Sequence, residues 1–388
     1  MFDGIYDQNY KISMKKLIFQ KFLKDSLRSF VVICFSFSLI VWIIQAVNYL
    51  DFVSEDGHGL YTYFSYTLYN FPKIIHRILP FSFFISLFFT ISQYEANNEL
   101  ILYWSNGIKK IQFINIIISY SFIIFLFQIF LGSYVSPSSQ DKARSFLRNS
   151  SIDFFPSLIK PGKFIDSVAN LTIFIESKDE KGFYKNIFLH DQFNDINDSQ
   201  IIYAKKAELV NENKKRYFKL FDGRLLDVND KKISNIEFDN IKFDLSKYET
   251  VTTTYPKIQE TNIIDLFNCL NLYYKDKVYK FKAKYLKCEK NTIKTIQEEF
   301  LKRLFKPLYI LLIALITCLI IIKSKEHKRY NYFRINMFIL VFFIIVFSEI
   351  SIKYSGYGYN GFLSYVLIPT LLFLLIYISL ITKFKNKI

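Results

Sequence analysis

The stretch YEANNELILYWSNGIKK (residues 94–110) decides how this chain is organised, because it separates two long apolar segments with a short polar one. Glu95 and Glu99 stand four residues apart and therefore predict one acidic face of a helix. Gly107 occupies the position at which helices often end in a left-handed residue. The sequence thus predicts a short helical connection between two membrane spans.

The same stretch carries a second face, formed by Leu100, Tyr103 and Trp104. A helix of this kind adds nothing to insertion in the bilayer, so we interpret residues 94–110 as a coupling helix that a cytoplasmic motor protein grips. Glu99 is the leading contact, because a carboxylate accepts charge-assisted hydrogen bonds from a partner's arginine. The alternative is a solvated loop that merely reverses the chain.

Six apolar stretches are expected to cross the membrane, since a crossing helix needs about 20 residues. Backbone polar groups have no partners in lipid, so each crossing is predicted to be helical. An amphipathic helix in the membrane plane, over residues 14–28, leads into the first, and Met14 is an alternative start to Met1. The predicted spans are 29–50, 78–94, 111–135, 303–322, 334–354 and 362–382.

Lysine and arginine concentrate at one side of these spans, which predicts that both termini are cytoplasmic. The short loop after the first span is acidic instead, with Asp51, Glu55 and Asp56. The basic residues that set the orientation are Lys15, Lys16, Lys21, Lys24 and Arg28 before the first span, Lys323, Lys325, Lys328 and Arg329 before the fifth, and Lys383, Lys385 and Lys387 after the sixth.

Composition narrows the class of protein further. The chain is 51% hydrophobic and carries a formal net charge of +16. Anionic lipid attracts basic residues at cytoplasmic helix ends, so this charge does not indicate nucleic-acid binding. Cys34 and Cys318 fall within spans. Cys269 and Cys288 fall between spans three and four and are close enough in sequence to pair, but two free, small apolar side chains are expected.

About 160 residues separate the third and fourth spans and are predicted to lie outside the cytoplasm. Short strands with Asn, Asp and Gly between them predict an antiparallel sandwich or jelly roll. The Asp222-Gly223 pair is expected to form a turn. Beyond it, helices are predicted over 261–270 and from about 291 through Arg303 into the fourth span. The predicted strands are 171–176, 186–190, 200–204, 216–221, 224–228, 236–238 and 241–245.

Motifs of enzyme catalysis are absent from the sequence. There is no G-x-x-x-x-G-K-[ST] loop for nucleotide phosphates, no H-E-x-x-H and no G-x-S-x-G. The four histidines are scattered along the chain and predict no metal site. We therefore expect a non-catalytic protein that binds no cofactor.

Several stretches resemble the LptF/LptG permease family, which forms the membrane part of the lipopolysaccharide export ABC transporter. In that family the acidic residue of the coupling helix precedes a hydrophobic pair, with a glycine eight positions on. Here these residues are Glu99, Leu100, Ile101 and Gly107. The resemblance covers nearly the whole chain. It is carried by residues 66–73, Leu79-Pro80, residues 98–107, residues 134–137 and Ala143-Arg144.

The resemblance implies an α-helical membrane protein of six transmembrane helices, three before and three after an inserted periplasmic antiparallel β domain that is jelly-roll-like. Four regions are expected. Residues 1–135 hold the amphipathic helix, spans one to three and the coupling helix; residues 136–260 form the β domain. Residues 261–300 form a helical connector, and residues 301–388 hold spans four to six.

Family membership also implies partners and a location in the bacterial inner membrane. The partners are a paralogous permease (LptG or LptF), an ATPase dimer (LptB), LptC-like and LptA-like periplasmic jellyroll proteins, and lipopolysaccharide. Residues 186–190 and 353–356 favour the LptF branch. LptG-type members carry basic residues near the outer end of span one, where residues 45–49 here are neutral. In those members the basic residues are expected to meet the phosphates of the lipid. This chain is therefore the LptF-like half, or it recognises those phosphates through other residues.

Charged residues at the outer ends of the spans are candidate lipid contacts. Lys73, Arg77 and the family-matched Arg144 are expected to meet lipid phosphates, because arginine offers a bidentate fork. Interfacial snorkelling explains Lys73 and Arg77 equally well. Glu349 and Lys353, four residues apart in span five, predict a gate-helix charge pair. An ion pair that lowers the cost of insertion is the alternative.

Three functions compete at this point. The first is a permease subunit that extracts lipopolysaccharide and passes it to a periplasmic jellyroll bridge. The second is a membrane-anchored envelope scaffold or sensor that binds a periplasmic partner through its β domain. The third, an enzyme acting on lipid within the membrane, is disfavoured by the missing motifs.

Overall fold

The computed structural model of the protein describes residues 2–50, 59–158, 161–168, 171–179, 182–192, 199–212, 215–229, 232–245, 257–275, 286, 288–289, 291–356 and 358–385. The chain divides into two compact units. The helical unit comprises Met1–Gln45, Tyr69–Asp141 and Pro256–Ile388, and the β unit comprises Ala46–Leu68 and Lys142–Tyr255. The predicted acidic loop with Asp51, Glu55 and Asp56 lies outside the described residues.

Helices precede and follow a β sheet along the chain. Before the sheet lie α1 (Phe2–Asn48), α2 (Leu60–Tyr69), α3 (Phe71–Ala96), α4 (Glu99–Ser105), α5 (Lys110–Phe130), a π-helical segment (Leu131–Val135) and α6 (Ser136–Leu158). After it lie a 3₁₀ turn (Ile258–Glu260), α7 (Ile263–Tyr274), α8 (Ile293–Leu304), α9 (Leu308–Cys318), a 3₁₀ turn (Leu319–Ile322), α10 (Tyr330–Ser355) and α11 (Gly358–Lys385).

The described helices include five that are long and apolar enough to cross a membrane, and a bent pair makes a sixth. This agrees with the six predicted spans. The predicted in-plane segment over 14–28 is continuous with the first span in α1. The five helical stretches are Lys15–Asn48, Leu60–Ala96, Lys110–Leu147, Tyr330–Ser355 and Asn360–Phe384.

The fourth span is the bent pair, and here the prediction of one continuous helix through Arg303 is wrong. The chain bends by 46° between α8 and α9. Pro307 stands at the bend and caps α9. Proline lacks an N–H and disfavours helical geometry in the residue before it, so the hydrogen-bond ladder cannot continue through this point.

Helix α9 lies at the centre of the helical unit. Its side chains from Tyr309 to Cys318 are buried with the exception of Leu311, and all of the buried ones except Thr317 are hydrophobic. A helix that is apolar nearly all round is stable either in a protein core or among lipid tails, and the burial of its side chains places α9 in the core. Accordingly, α9 packs against α3, α5, α10 and α11.

The antiparallel β domain is confirmed. Its described strands form one six-stranded sheet in chain order, a simpler arrangement than the expected sandwich, because each strand pairs with its neighbour in sequence. Apolar side chains such as Ile173, Leu189 and Phe218 are buried on one face. The strands are β1 (Phe164–Val168), β2 (Leu171–Lys178), β3 (Tyr184–Gln192), β4 (Ser199–Glu212), β5 (Lys215–Asn229) and β6 (Lys232–Asp244).

Two sequence-based expectations about this region are wrong. The Asp222-Gly223 pair is not a turn but lies inside β5, which keeps its register with β4 and β6 on both sides of it. Asp222 absorbs the distortion with a left-handed φ of 49°. Cys269 and Cys288 are joined in a disulfide. Cys269 is in α7 and Cys288 precedes α8, and packing of these two helices brings the cysteines together.

Candidate functional site

The connection between α3 and α5 is built around two left-handed residues. Helix α3 ends at Ala96, Asn98 has a φ of 60°, and α4 then begins at Glu99. Gly107 has a φ of 69°, in agreement with its predicted place at the end of the helix. Because the helix is interrupted between Ala96 and Glu99, Glu95 belongs to α3 and Glu99 to α4. The two carboxylates therefore do not share a helical face, contrary to the sequence-based prediction.

Glu95 is bound to the segment that follows α9. The backbone N–H of Lys325 donates to Glu95 Oε1 at 2.7 Å, and Lys325 Nζ donates to the carbonyl of Ala96 at 3.1 Å. On the other side of the connection, Lys110 Nζ donates to the carbonyl of Ile321 at 2.8 Å. Both ends of the connection are therefore fixed to the end of the central span.

Glu99 is paired within its own chain. Lys21 Nζ of α1 lies 2.9 Å from Glu99 Oε2. An exposed ion pair of this kind stabilises a fold by about 1 kcal/mol at most. Its value here is therefore geometric: it sets where α4 lies against α1.

Leu100 and Tyr103 face inward and are unavailable to a partner, contrary to the predicted gripping face. Both are buried in the same apolar cluster as Phe113. The Tyr103 hydroxyl donates to the carbonyl of Ile18 at 3.1 Å, and burial raises the pKa of Tyr103, so the hydroxyl stays a neutral donor. Trp104 is partly buried, with its ring centroid 6.0 Å from that of Phe113.

The exposed apolar residues of α4 are Ile101 and Leu102, at 52% and 58%. Ile101 belongs to the hydrophobic pair that carries the family resemblance, whereas Leu102 was not singled out from the sequence. The signal that identifies them is the start of the helix at Glu99: once Leu100 and Tyr103 point inward, the residues between them must point outward.

Four hydrogen bonds join α1 to this connection, and their α1 residues recur every three or four positions, on one helical face. Besides the contacts of Ile18 and Lys21, Lys15 Nζ donates to the carbonyl of Gly107 at 3.3 Å. The hydroxyl of Tyr94, in the last turn of α3, donates to Asp25 Oδ2 at 2.6 Å. We call this set the α1 clasp.

A second site lies at the other end of α3, about 30 Å or more away by helical rise. It is a cavity of about 250 Å³. Lys73 and Arg77, both predicted lipid contacts, line it together with Lys302, which the sequence did not single out. Arg144 is in α6, in the β unit. The other lining residues are His76, Gly132, Ser136, Pro137, Gln140, Gln259, Glu299 and Arg303.

Arg303 forms one wall of this basic cavity and is fully engaged. Its side chain is 1% exposed. It donates to Glu299 Oε1 at 2.9 Å and to the carbonyls of Thr261 and Gln259 at 2.7 and 2.8 Å. Burying a guanidinium is tolerable only when its donors are satisfied in this way. Arg303 therefore anchors the 3₁₀ turn to α8 and is not available for a ligand.

His76 and Gly132 form the opposite wall. His76 Nε2 is buried without a protein hydrogen-bond partner among the described residues, and its carbonyl accepts from Gln128 Nε2 at 2.9 Å. A Cβ on Gly132 would stand 2.5 Å from His76 Nε2. Glycine is therefore required at position 132 for the imidazole to occupy this place.

Glu349 is paired with Lys306 and not with Lys353, the partner predicted from the spacing in span five. Lys306 is buried at the bend before Pro307, which turns its side chain toward α10. Lys353 instead lines a neighbouring cleft with Arg77. The pair thus ties the start of α9 to α10, a contact between elements that helical spacing could not reveal.

We expect Gly132→Ala to destabilise the protein by about 1–3 kcal/mol, because the added methyl overpacks the buried imidazole. Thermal unfolding in detergent measures the effect. Adding His76→Ala should restore most of the loss, and Gly59→Ala is the control, since nothing lies within 4 Å of a Cβ there. Equal stability of Gly132→Ala and the unmodified protein would contradict the described packing.

Comparison with known proteins extends these observations. The family model described as "Lipopolysaccharide export system permease LptF/LptG" matches residues 21–383. An uncharacterized protein of Rickettsia prowazekii (strain Madrid E) is 23% identical over 240 residues, which cover 61% of this chain and 66%, slightly under two thirds, of that relative.

Proposed function

This chain belongs to the LptF/LptG family of lipopolysaccharide export permeases, and we propose that it is the permease subunit of an ATP-driven transporter that extracts lipopolysaccharide from the inner membrane. The observation that carries the proposal is the family match, which runs from α1 through the inserted sheet to α11. The apolar helices agree with a multi-pass inner-membrane protein.

ATP hydrolysis is assigned to a separate subunit, because the sequence holds no phosphate-binding loop. The proposed complex contains a dimeric ATPase (LptB), a paralogous permease (LptG, if this chain is the LptF-like half) and LptC-like and LptA-like jellyroll proteins that receive the lipid. Both termini and α4 face the cytoplasm in this arrangement, and the β unit faces the periplasm.

Ile101 and Leu102 are the proposed docking contacts of α4. They combine high exposure with apolar character in the middle of a short helix whose flanking segments are both held by the same chain. An apolar pair of this kind loses water when it enters a groove of the ATPase, which favours binding. Leu100 and Tyr103 support α4 from beneath.

The α1 clasp explains how movement of α4 reaches the membrane. Four hydrogen bonds and the packed rings of Phe19, Phe22, Tyr94 and Tyr103 hold α1 against the connection. A force on α4 therefore moves α1, the first span, along with it. In this proposal Glu99 acts by positioning α4.

Leu102→Asp should reduce copurification of the ATPase at least about tenfold, because a carboxylate would have to be desolvated in an apolar groove. Quantification of the ATPase in complexes purified in mild detergent measures this. Leu102→Met is the matched control, since it keeps an apolar side chain of similar volume, and it should bind normally. Full recovery of the ATPase with Leu102→Asp would remove Leu102 from the interface.

Charge exchange separates the two roles of Glu99. Glu99→Lys and Lys21→Glu should each impair ATP-dependent extraction of lipopolysaccharide from proteoliposomes, and the double exchange should restore at least half of it, because the pair is re-formed with reversed signs. If Glu99 instead contacts an ATPase arginine, the double exchange stays inactive.

If the unmodified complex retains lipopolysaccharide without ATP-dependent extraction, the scaffold function replaces the transport function.

The basic cavity is the proposed contact for the lipid's phosphates. Lys73, Arg77 and Lys302 converge on one cavity next to the buried His76, and clustered cations there favour an anionic group. This assignment retains Lys73 and Arg77 from sequence analysis and adds Lys302. Arg144 remains a proposed contact from its match to the family.

Lys302→Gln should lower the lipopolysaccharide retained by the purified complex by about tenfold, the loss expected for one charge-assisted hydrogen bond. Mass spectrometry of the bound lipid provides the readout. Lys294→Gln, on the same helix but outside the cavity, serves as the control and should retain normal amounts. The loss should vanish when dephosphorylated lipid is offered; an equal loss with that lipid would show that Lys302 does not contact phosphate.

A further inference from the structure

The face of the sheet opposite the buried one carries a row of side chains that crosses every described strand. Successive members pair directly in the register of the sheet, so they stand side by side. We call this the aromatic row, although its last two members form an ion pair at 2.9 Å. It consists of Phe164, Phe174, Phe188, Tyr203, Arg224 and Glu237.

The rings of this row form a continuous exposed platform. The centroids of Phe164 and Phe174 are 4.7 Å apart, and those of Phe188 and Tyr203 are 5.1 Å apart. Phe164 is 68% exposed and Tyr203 is 49% exposed. Contiguous exposed aromatic surface on a domain that already has a buried apolar face indicates a binding function.

A second row, composed of polar residues, runs parallel to the first. It lies two residues further along the strands and therefore on the same face, about 6–7 Å away. Asn186 donates from Nδ2 to Glu176. Asn186 and Asp222 both have a left-handed φ, of 48° and 49°. Their neighbours on both sides pair across the strands, which places the members of the row side by side. The polar row consists of Glu176, Asn186, Lys205, Asp222 and Asp239.

All members of the two rows except Phe164 and Glu176 line one open cleft of about 830 Å³, a size typical of small-molecule sites. Its floor is Phe174, Phe188 and Tyr203. Lys205, Arg224, Asp222, Glu237 and Asp239 surround the floor, which places two cationic and three anionic side chains around an apolar surface.

We propose that this cleft binds a neutral saccharide. The C–H faces of sugar rings stack on aromatic side chains, and the strand spacing of about 4.8 Å that separates the rings is close to the repeat of successive pyranose units. Sugar hydroxyls both donate and accept hydrogen bonds. A rim that mixes carboxylates, an amide, an ammonium and a guanidinium satisfies both roles.

Other ligand classes fit this cleft less well. An acyl chain would remove the carboxylate of Asp222 and the Arg224–Glu237 ion pair from water without offering a hydrogen bond in return, which is unfavourable. A strongly anionic ligand would meet three carboxylates and two cations, an unfavourable balance. The assignment goes beyond the proposed function, because saccharide binding requires neither ATP nor a second subunit.

The test uses the full-length purified protein and an array of neutral oligosaccharides of hexoses, heptoses and N-acetylhexosamines, with affinities for the hits measured by titration. We expect binding of at least one oligosaccharide. Phe188→Ala and Tyr203→Ala should weaken it about tenfold, the scale of a lost aromatic contact. Tyr217→Ala is the matched control, because Tyr217 lies on β5 in the outward register but outside both rows.

Three results would overturn the assignment. The first is the absence of binding to any neutral oligosaccharide on the array. The second is equal binding by Phe188→Ala, Tyr203→Ala and the unmodified protein. The third is that the protein binds fluorescent palmitate and that Phe188→Ala and Tyr203→Ala weaken the binding of palmitate and not of saccharide. That result would make the cleft an acyl site. Failure of extraction in proteoliposomes leaves this test unaffected, so the two proposals stand or fall separately.

Discussion

The α1 clasp is the interaction on which the rest of the helical unit's organisation depends. Lys15, Ile18, Lys21 and Asp25 lie on one face of α1, and each is hydrogen-bonded either to the connection between α3 and α5 or, for Asp25, to the last turn of α3. No single contact is strong, since exposed ion pairs contribute about 1 kcal/mol at most. Together with the buried rings beneath them they specify one position of α4. The seven-residue α4 is too short to be stable by itself, so this tertiary support is what makes it a helix.

A second constraint acts at the bend between α8 and α9. Pro307 breaks the fourth span, and the residues on either side of it become anchors: Arg303 holds the 3₁₀ turn, and Lys306 holds Glu349 of α10. Both are buried cations whose neighbours satisfy them, so removing a partner would be far more costly than at the surface. The bend therefore connects three elements in the helical unit: the segment that enters it from the β unit, the central span and α10.

The sequence was sufficient for features that depend on composition and local pattern. Apolar length predicted the membrane spans. Short strand-like runs with Asn, Asp and Gly between them predicted the antiparallel strands, and the left-handed position of Gly107 followed from its place after the helix. Features that depend on which elements meet could not be obtained from one chain. Spacing alone paired Glu349 with Lys353 and placed Glu95 and Glu99 on one helical face. The observed partners of Glu349, Glu95 and Glu99 are Lys306, Lys325 and Lys21, which are distant in sequence. Leu100 and Tyr103 were predicted to be gripped by the motor protein, but they are buried, and Tyr103 contacts α1 through Ile18 and Phe19.

Spin labels placed at Lys16 and Ser105, both exposed and outside the proposed docking pair, test most directly whether α1 and α4 move as one body. The distance between the labels would be measured by pulsed electron resonance in the assembled complex, without nucleotide and with ATP trapped. The α1 clasp predicts that the distance distribution is the same in both states while distances from α1 to other spans change. A distance that lengthens on ATP binding would contradict the account, because α4 would then move without α1.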